Sequence, residues 1–308
     1  MIDNDGPTVE IIRQAGALGF YKHPRTWKRN LEIRLTHPGD SEPFHHEPFP
    51  REVNHVTIDG LDPEKEVDVL VQSGNILRRM KYGIQDFRLQ PKPRPFRIII
   101  SGSGRCGTTT LARYLDGMSF TDGQRVVSRH ETLNEYLLPC VVERQDECIN
   151  NMVNGMAHNV ESAPYFAHVP ELMTAEKVVL LVRDGRRVCQ SGINRSWYET
   201  GSIWNQIKPE FEGTIFEKIC HFWRYCNEQV ETISTHFARL EDLSESEEAR
   251  QKLLHELDLV SSGQVFPHSN KGKAPSVFGD WTDEMKETFT EINGEMMDRY
   301  YPGWRETW

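Results

Sequence analysis

Two continuous apolar runs stand out from the otherwise mixed hydrophobic pattern of the chain. Residues 96–101 read FRIIIS, and residues 177–182 read KVVLLV. Such runs are typical of strands that are buried on both faces, as in a parallel sheet. Each run leads into a polar loop, and helices are predicted directly afterwards, over residues 108–115 and 187–195. The pattern therefore predicts two strand–loop–helix units.

Helical periodicity returns in the second half of the chain. It extends over residues 215–233 and again over residues 285–296, where the apolar positions recur every three or four residues. Thr282 precedes the last helix, and its hydroxyl can cap the first turn. Strands that alternate with helices predict an α/β fold, a three-layer parallel sheet flanked by helices. Ligands in such folds lie at the carboxyl ends of the strands.

A proline-rich segment separates this region from the start of the chain. Prolines occupy positions 91, 93 and 95, and they exclude both a helix and regular strand pairing at this point. The segment predicts a boundary between an N-terminal appendage of unknown role, residues 1–95, and a main domain, residues 96–308.

Two short strands and one helix are predicted inside the appendage. The strands cover residues 56–58 and 67–71, which are rich in β-branched side chains. The helix covers residues 75–87, because apolar side chains recur there every four residues, at Ile76, Met80 and Ile84.

The charge and hydropathy of the chain argue against some classes of binding partner. The formal net charge is −10 and the pI is about 5.7, which argues against a nucleic-acid partner. An anionic ligand would have to be held by a local cluster of donors, because the overall field repels it. No run approaches the roughly 18 apolar residues of a membrane span. The acidic N-terminus lacks the basic and apolar regions of a signal peptide, so we expect a cytoplasmic protein without a membrane partner.

The cysteines and histidines give no metal or disulfide signature. The six cysteines form no CxxC pair, and we expect them to be reduced thiols. The N-terminal histidines match no known ligand spacing, so no metal is expected. The histidines concerned are His37, His45, His46 and His55.

The loop after the first apolar run is the most informative segment. Three glycines at positions 102, 104 and 107 allow a tight turn with inward backbone N–H groups, and the helix that follows adds partial positive charge. The segment fits the Walker pattern G-x-x-x-x-G-K-[ST] except that Thr108 stands where the lysine is required. That lysine contacts the β- and γ-phosphates in nucleoside triphosphatases, so its loss weakens a kinase or NTPase interpretation. Arg105 is the candidate replacement cation.

The second apolar run also ends in groups suited to a phosphate. Arg183 provides a charged fork at the end of the strand, and Ser191 provides a hydroxyl eight positions later in the next helix. The competing interpretation is a Walker B strand in which Asp184 binds magnesium. A P-loop kinase or NTPase that uses ATP and magnesium therefore stays as the alternative, and a non-catalytic nucleotide-binding module is a third.

These two segments resemble those of a known family. GSGRCGTT at residues 102–109 resembles the 5′-phosphosulfate loop of sulfotransferases that use 3′-phosphoadenosine 5′-phosphosulfate (PAPS), where bacterial members resemble G-x-G-R-S-G-T-[ST]. Residues 183–191 resemble the 3′-phosphate segment R-[ND]-P-x-[DE]-x-x-x-S, with Gly185 in place of proline and Arg187 in place of an acid. RLEDL at residues 239–243 resembles the family's R-Y-E-D-L segment.

A fourth segment completes the order found in the family. Residues 270–272 (NKG) and 279–281 (GDW) resemble the R-K-G-x-x-G-D-W segment that covers the 3′-phosphate. The resemblance spans roughly residues 96–308 and implies a P-loop-like sulfotransferase fold. It implies transfer of a sulfuryl group from PAPS to a hydroxyl or amine of a small-molecule or carbohydrate acceptor. The implied PAPS-binding residues are Ser103, Gly104, Arg105, Cys106, Gly107, Thr108, Thr109, Arg183, Ser191, Lys271 and Gly272.

The resemblance offers three candidates for the general base that takes the acceptor proton. Glu131 follows the first helix, where bacterial and carbohydrate-type members place a catalytic glutamate. His168 lies in a stretch that resembles the T-H-L-P segment of phenol and steroid sulfotransferases, and the neighbouring His130 is the third candidate. In-line attack also needs stabilisation of the leaving group, which Arg105 and the loop would supply. A heparan-type alignment instead places a family lysine on Glu161, which reverses the charge.

Overall fold

The computed structural model describes residues 9–14, 17–22, 30–50, 53, 55–61, 67–73, 76–82, 96–156, 158–267 and 281–308. The chain divides into two compact units. The first contains Met1–Pro95 together with Leu133–Met156, and the second contains Phe96–Thr132 and Ala157–Trp308. The excursion Leu133–Met156 lies inside the predicted main domain in sequence but groups with the N-terminal unit.

Strands and helices are numbered in chain order within the described residues. The strands are β1 Val9–Gln14, β2 Ala17–Lys22, β3 Leu31–Thr36, β4 His45–Phe49, β5 His55–Ile58, β6 Val67–Ser73, β7 Ile76–Tyr82, β8 Phe96–Ser101, β9 Ser119–Phe120, β10 Ser128–His130, β11 Val160–Ser162, β12 Ala175–Val182, β13 His236–Arg239 and β14 Leu259–Val260. The helices are α1 Thr108–Leu115, α2 Asn134–Val142, α3 Asp146–Gly155, α4 Gly185–Ile193, α5 Ile203–Gln206, α6 Ile215–Glu231, α7 Leu240–Glu245, α8 Glu247–Glu256 and α9 Asp283–Tyr300.

The first unit is built on an antiparallel β-sandwich. One sheet has the strand order β1-β2-β5 and the other the order β4-β3-β6-β7. Strand β3 alternates between buried and half-buried positions, as expected when one face of a sheet covers a core. Leu18 and Phe20 from the first sheet share one apolar core with Ile33 and Val69 from the second. Burial of this shared core holds the two sheets together.

The predicted helix at residues 75–87 is wrong over its described part. Residues 76–82 form strand β7, which pairs antiparallel with β6 from Ser73↔Ile76 to Val67↔Tyr82. A spacing of four is also a multiple of the strand period of two, so the pattern of Ile76 and Met80 is compatible with either structure. Pairing with β6 selects the strand over the helix. Residues 83–87 lie outside the described residues, and the two short strands predicted nearby are confirmed as β5 and β6.

A disulfide corrects the expectation that all six cysteines are reduced. Cys140 in α2 is bonded to Cys148 in α3, and their Cα atoms are 6.3 Å apart. A three-residue connection folds α3 back beside α2, which brings the two thiols within the normal range for a bridge. The other four cysteines are free and buried: Cys106, Cys189, Cys220 and Cys226.

The second unit contains the predicted parallel sheet. Its strand order is β10-β11-β8-β12-β13, and every neighbouring pair is parallel. The two apolar runs of the sequence form β8 and β12 at the centre, which confirms the predicted strands. The helices predicted after them are confirmed as α1 and α4, and those predicted later as α6 and α9.

Side chains of β12 alternate between two helical layers. Val179 and Leu181 pack in a core cluster that also contains residues of α1 and α8. Leu180 and Val182 face the opposite cluster, which contains residues of α4, α6 and α9. The sheet is therefore covered on both faces, and the predicted α/β class with a parallel sheet flanked by helices is confirmed. No helix in the described part of the chain is long and apolar enough to cross a membrane.

The predicted N-cap of helix α9 should contribute measurably to the stability of the protein. The Thr282 hydroxyl accepts a hydrogen bond from the backbone N–H of Met285 at 3.2 Å, as predicted. We expect Thr282→Ala to lower the free energy of unfolding by about 1 kcal/mol, because it leaves that N–H without its partner. Urea denaturation measures the change, and Thr282→Ser is the control that keeps the hydroxyl. Equal stability of Thr282→Ala and the wild type would show that the cap contributes nothing.

Candidate functional site

A cavity of about 460 Å³ lies at the carboxyl edge of the parallel sheet, and all of its lining residues belong to the second unit. Because the five strands run in the same direction, the segments after β8, β10 and β12 emerge at this one edge. The cavity has a cationic part formed by these segments. Its other part is aromatic and formed by residues 197–222.

The glycine-rich loop crosses directly from β8 to α1. Gly107 has a φ of 101° and Arg105 a φ of 69°, both in the left-handed region that allows the sharp turn. A side chain at Gly102 would overlap the carbonyl oxygen of Leu181. Helix α1 then begins without a side-chain cap and without an acidic residue in its first turn. Its N-terminal N–H groups are therefore available to an anion.

Three arginines line the cationic part of the cavity. Arg105 Nε donates to Ser191 Oγ at 3.1 Å, and Arg183 Nη1 donates to the Arg105 carbonyl oxygen at 3.1 Å. Arg195 lies on the same wall. Burial lowers the pKa of Arg105, and the like charges of Arg195 and Arg183 lower it further. The structure thus brings together the glycine-rich loop and the Arg183/Ser191 pair, which the sequence analysis proposed separately.

Carboxylates do not neutralise this cluster. Among the described residues, none of the three arginines forms an ion pair within 4.0 Å. Glu131 is the one acidic residue on the described lining of the cavity. In a chain with a formal net charge of −10, such a concentration of unpaired positive charge marks a local anion site.

Two loop side chains that the family resemblance assigned to the cofactor are buried. Cys106 packs in the core cluster of β8 and α1, and burial raises the pKa of its thiol to about 12. Only the backbone of Cys106 is therefore available to contact an anion. Ser103 is also fully buried, and its hydroxyl has no hydrogen-bond partner among the described residues. Lys271 and Gly272 lie outside the described residues.

Asp184 is engaged in a buried ion pair. Its carboxylate accepts from the backbone N–H of Arg186 at 2.9 Å, which caps α4, and from the Arg186 guanidinium at 2.7 Å. Arg186 also donates to the carbonyl oxygen of Trp304 at 3.0 Å. Asp184 does not line the cavity. This pairing disfavours the alternative interpretation of Asp184 as a magnesium ligand. No group of three His, Cys, Asp or Glu side chains in the described ranges is arranged to hold a metal ion.

His130 and Glu131 form a polar corner where β10 meets the start of α1. The Nε2 atom of His130 is 3.0 Å from Thr108 Oγ1, 3.1 Å from Thr109 Oγ1 and 3.4 Å from Glu131 Oε1. All four residues line the cavity. Burial lowers the pKa of His130, although the charge of Glu161 opposes the shift. A neutral His130 can orient Glu131 toward the cavity.

Glu161 fixes this corner from behind. Its carboxylate accepts from the backbone N–H of Thr132 at 3.0 Å, from Thr132 Oγ1 at 2.7 Å and from the Tyr165 hydroxyl at 3.2 Å, and it pairs with His158. Burial raises its pKa, but the bonds from His158 and Thr132 outweigh burial and leave the pKa lowered. Glu161 is fully buried, so it does not occupy a substrate-binding position. Instead, Glu161 fixes the position of Thr132, the residue that follows Glu131.

The aromatic part of the cavity begins at the glycine-rich loop. A Cβ added at Gly104 would lie 3.4 Å from the Trp197 ring. Trp197 packs edge-on against Phe222 with ring centroids 5.3 Å apart, and His168 stacks on Phe222 at 5.8 Å. Burial and the charge of Lys208 lower the pKa of His168 to about 3. His168 therefore lines the cavity as a neutral ring.

Lys208 is a lining residue that the sequence prediction missed. It is 7% exposed, and its Nζ donates to the Trp204 carbonyl oxygen and to Asn205 Oδ1, both at 2.6 Å. The ammonium also lies 5.2 Å from the Trp197 ring centroid and 5.3 Å from that of Phe222. Burial lowers its pKa to about 8. The available signal was a lone lysine in the aromatic-rich stretch 197–211.

Comparisons with known proteins give only distant similarities. No protein-family model matches the sequence, and no curated protein is significantly similar to it. The chain is similar to the sulfotransferase domain from the curacin biosynthetic pathway, with 18% identity over 56% of this chain and 77% of that domain and a TM-score of 0.39. It is similar to the sulfotransferase domain from the Synechococcus PCC 7002 olefin synthase, with 14% identity over 67% of this chain and 97% of that domain and a TM-score of 0.39.

A third similarity is to a small β protein. It is a DUF3244 family protein from Bacteroides vulgatus with an immunoglobulin-like β-sandwich fold, with 14% identity over 26% of this chain and 87% of that chain and a TM-score of 0.22. The TM-scores of all three are too low to support an activity.

Proposed function

We propose that the second unit is a sulfotransferase that uses PAPS and transfers its sulfuryl group to a hydroxyl or amine of a small-molecule or carbohydrate acceptor. The observation that carries the proposal is the convergence of Arg105, Arg183 and Ser191 beside the uncapped N-terminus of α1. Two separate strand ends thus contribute cations to one cavity, as a ligand with two phosphate positions requires.

The described residues fit the two anionic ends of PAPS. The backbone N–H groups of residues 103–107 and the Arg105 guanidinium would hold the 5′-phosphosulfate. Arg183 and Ser191 would hold the 3′-phosphate, the group that distinguishes PAPS from ATP. The absence of carboxylate partners for the three arginines, within the described residues, agrees with an anion at this place.

The site residues can then act on both sides of the transfer. PAPS, when bound, supplies a sulfuryl group attached to a bisphosphate leaving group. Arg105 and the N-terminus of α1 stabilise the negative charge that develops on the side of the loop. Glu131 takes the proton from the acceptor on the opposite side, and His130 orients its carboxylate at 3.4 Å. Glu161 keeps this corner in place through Thr132.

His168 is the weaker candidate for the base. A group with a pKa of about 3 holds a proton poorly at neutral pH, and an efficient base needs a pKa near the working pH. The neighbouring Lys208 would further destabilise a protonated His168. The stacking of His168 on Phe222 instead makes it part of the wall on which an acceptor would rest.

Ligand-dependent stability tests the proposed function. We expect adenosine 3′,5′-bisphosphate at about 100 times its dissociation constant to add roughly 2.7 kcal/mol to the free energy of unfolding. ATP with magnesium at the same concentration should add much less to the free energy of unfolding. Asp184, the candidate magnesium ligand, is already paired with Arg186. Thermal unfolding measures both, and transfer of radiolabelled sulfate from PAPS to an acceptor panel provides the activity readout. Stabilisation by ATP and magnesium alone would overturn the proposal in favour of a kinase or NTPase.

A further inference from the structure

We propose that the acceptor is a compact hydroxy acid, whose apolar body rests on Trp197 and whose carboxylate is bound by Lys208. The inference rests on the proposed sulfotransferase function and assigns the substrate class of the same cavity. It concerns the aromatic part of the cavity, which the residues assigned to PAPS do not use.

The ammonium of Lys208 is incompletely paired. It has three N–H donors, and two of them are taken by the Trp204 carbonyl oxygen and by Asn205 Oδ1. Neither acceptor carries a charge. Within the described part of the chain no carboxylate lies within ion-pair distance of Lys208, although the side chain is almost completely buried. A buried cation without a counter-ion is costly, and an anionic ligand that reaches it would remove this cost.

The Trp197 ring is adjacent both to the glycine-rich loop and to Lys208. A Cβ added at Gly104 would lie 3.4 Å from the ring, and the Lys208 ammonium lies 5.2 Å from its centroid. A flat or short apolar body on this ring would have one end near the loop, where a hydroxyl meets Glu131. Its other end would lie at Lys208, which is 5.2 Å from the ring centroid. We therefore choose as acceptor a molecule that carries a hydroxyl and a carboxylate at the two ends of one ring.

The remaining wall of the cavity is apolar around Phe222 and almost without acidic side chains among the described residues. Phe222 and His168 continue the apolar surface, and His168 is neutral. Acidic side chains are absent from the described lining except for Glu131, at the opposite part of the cavity. A cationic acceptor group would therefore lie beside Lys208 without a compensating charge, whereas a carboxylate would be attracted. The charge pattern selects an acid over an amine at this end.

The test compares a matched pair of acceptors, 4-(hydroxymethyl)benzoate and 4-(hydroxymethyl)benzamide. They share the ring and an alcohol that does not titrate, and they differ only at the far end, where a neutral carboxamide of similar size replaces the carboxylate. Binding is measured by calorimetry in the presence of adenosine 3′,5′-bisphosphate, and sulfation is measured with PAPS. We expect the wild type to prefer the acid by about tenfold or more in affinity, and in kcat/KM. Lys208→Gln should abolish the preference, and Lys208→Arg should retain most of it.

Lys218→Gln provides the matched control. Lys218 lies on α6, pairs with Glu210 at 3.8 Å and is not part of the described cavity wall, so its loss should leave the preference unchanged. Equal affinity of the wild type for acid and amide overturns the inference, as does a preference that survives Lys208→Gln. If adenosine 3′,5′-bisphosphate does not bind but the Lys208-dependent preference for the acid persists, the proposed function fails while the carboxylate site stands.

A pH series on the wild type tests the inference without any substitution. Lys208 is charged below its pKa of about 8, so the preference for the acid should be present near neutral pH and be lost as the pH rises through 8. The titratable groups that face Lys208 are His168, Tyr198 and Cys226. Burial keeps all three neutral over this range, because the pKa of His168 is lowered and those of Tyr198 and Cys226 are raised. A preference that does not change across this range overturns the inference.

Discussion

Glu131→Gln should lower the kcat of sulfuryl transfer by roughly 10²- to 10⁴-fold while leaving the affinity for adenosine 3′,5′-bisphosphate nearly unchanged. The amide keeps the size of the side chain and can still lie beside His130 Nε2, which is 3.4 Å from the carboxylate. It cannot accept the acceptor proton. Bisphosphate affinity should persist because the cations that would hold it, Arg105 and Arg183, belong to other segments. Single-turnover transfer and calorimetry measure the two quantities.

The two histidines provide the controls for this assignment. His168→Gln should reduce kcat far less than Glu131→Gln, because a ring with a pKa of about 3 accepts a proton poorly. His130→Gln should fall between them, since it removes the orienting contact and keeps the carboxylate. A large loss in His168→Gln together with nearly full activity in Glu131→Gln would transfer the role of base to His168.

The two apolar strands of the parallel sheet and the loop at its edge were predictable because each rests on local sequence. Strands β8 and β12 are buried on both faces, and such burial demands the continuous apolar runs that the sequence displays. The left-handed turn before α1 demands a residue like Gly107. Once strand, turn and helix are placed, the parallel direction brings Arg105, Arg183 and Ser191 to one edge without further information.

The N-terminal unit was harder to predict because pairing, and not periodicity, determines it. Residues 76–82 follow a spacing that suits a helix or a strand, and only the neighbouring strand β6 selects the strand. The alternation in β3 was a usable signal, since Leu31, Ile33 and Leu35 are buried and the residues between them are not. The Cys140–Cys148 bridge likewise depends on how α2 and α3 fold back on each other, which spacing alone does not specify.

The supporting role of Glu161 and the presence of Lys208 in the cavity were not predicted, for a common physical reason. Each of these two residues is charged and buried, and charge alone predicts a position on the surface. The role of Glu161 depends on contacts with His158, Thr132 and Tyr165, of which Thr132 is distant in sequence. Lys208 becomes a candidate only when Trp197 and Phe222 are seen around it. Such environments form only when separate segments fold together, so no single segment of the sequence predicts them.

Arg183→Ala should weaken the binding of adenosine 3′,5′-bisphosphate by roughly 10- to 100-fold, the effect of losing charge-assisted hydrogen bonds to one phosphate. The binding of AMP should change much less, because AMP lacks the 3′-phosphate and would use the loop and Arg105. Calorimetry with the two nucleotides measures the difference. Arg187→Ala is the matched control, because this exposed arginine lies on the first turns of α4 and outside the described cavity lining.

The comparison of the two nucleotides distinguishes two roles of Arg183, namely recognition of the 3′-phosphate and support of the glycine-rich loop. Arg183 also donates to the carbonyl oxygen of Arg105 at 3.1 Å, so its removal can loosen the loop as well as delete a phosphate ligand. Loosening the loop would weaken both nucleotides equally, since both place a 5′-phosphate there. Selective loss of the bisphosphate therefore identifies Arg183 as the 3′-phosphate ligand. Equal losses would leave Arg183 only as a support of the loop and would remove the feature by which we propose that this cavity distinguishes PAPS from other adenine nucleotides.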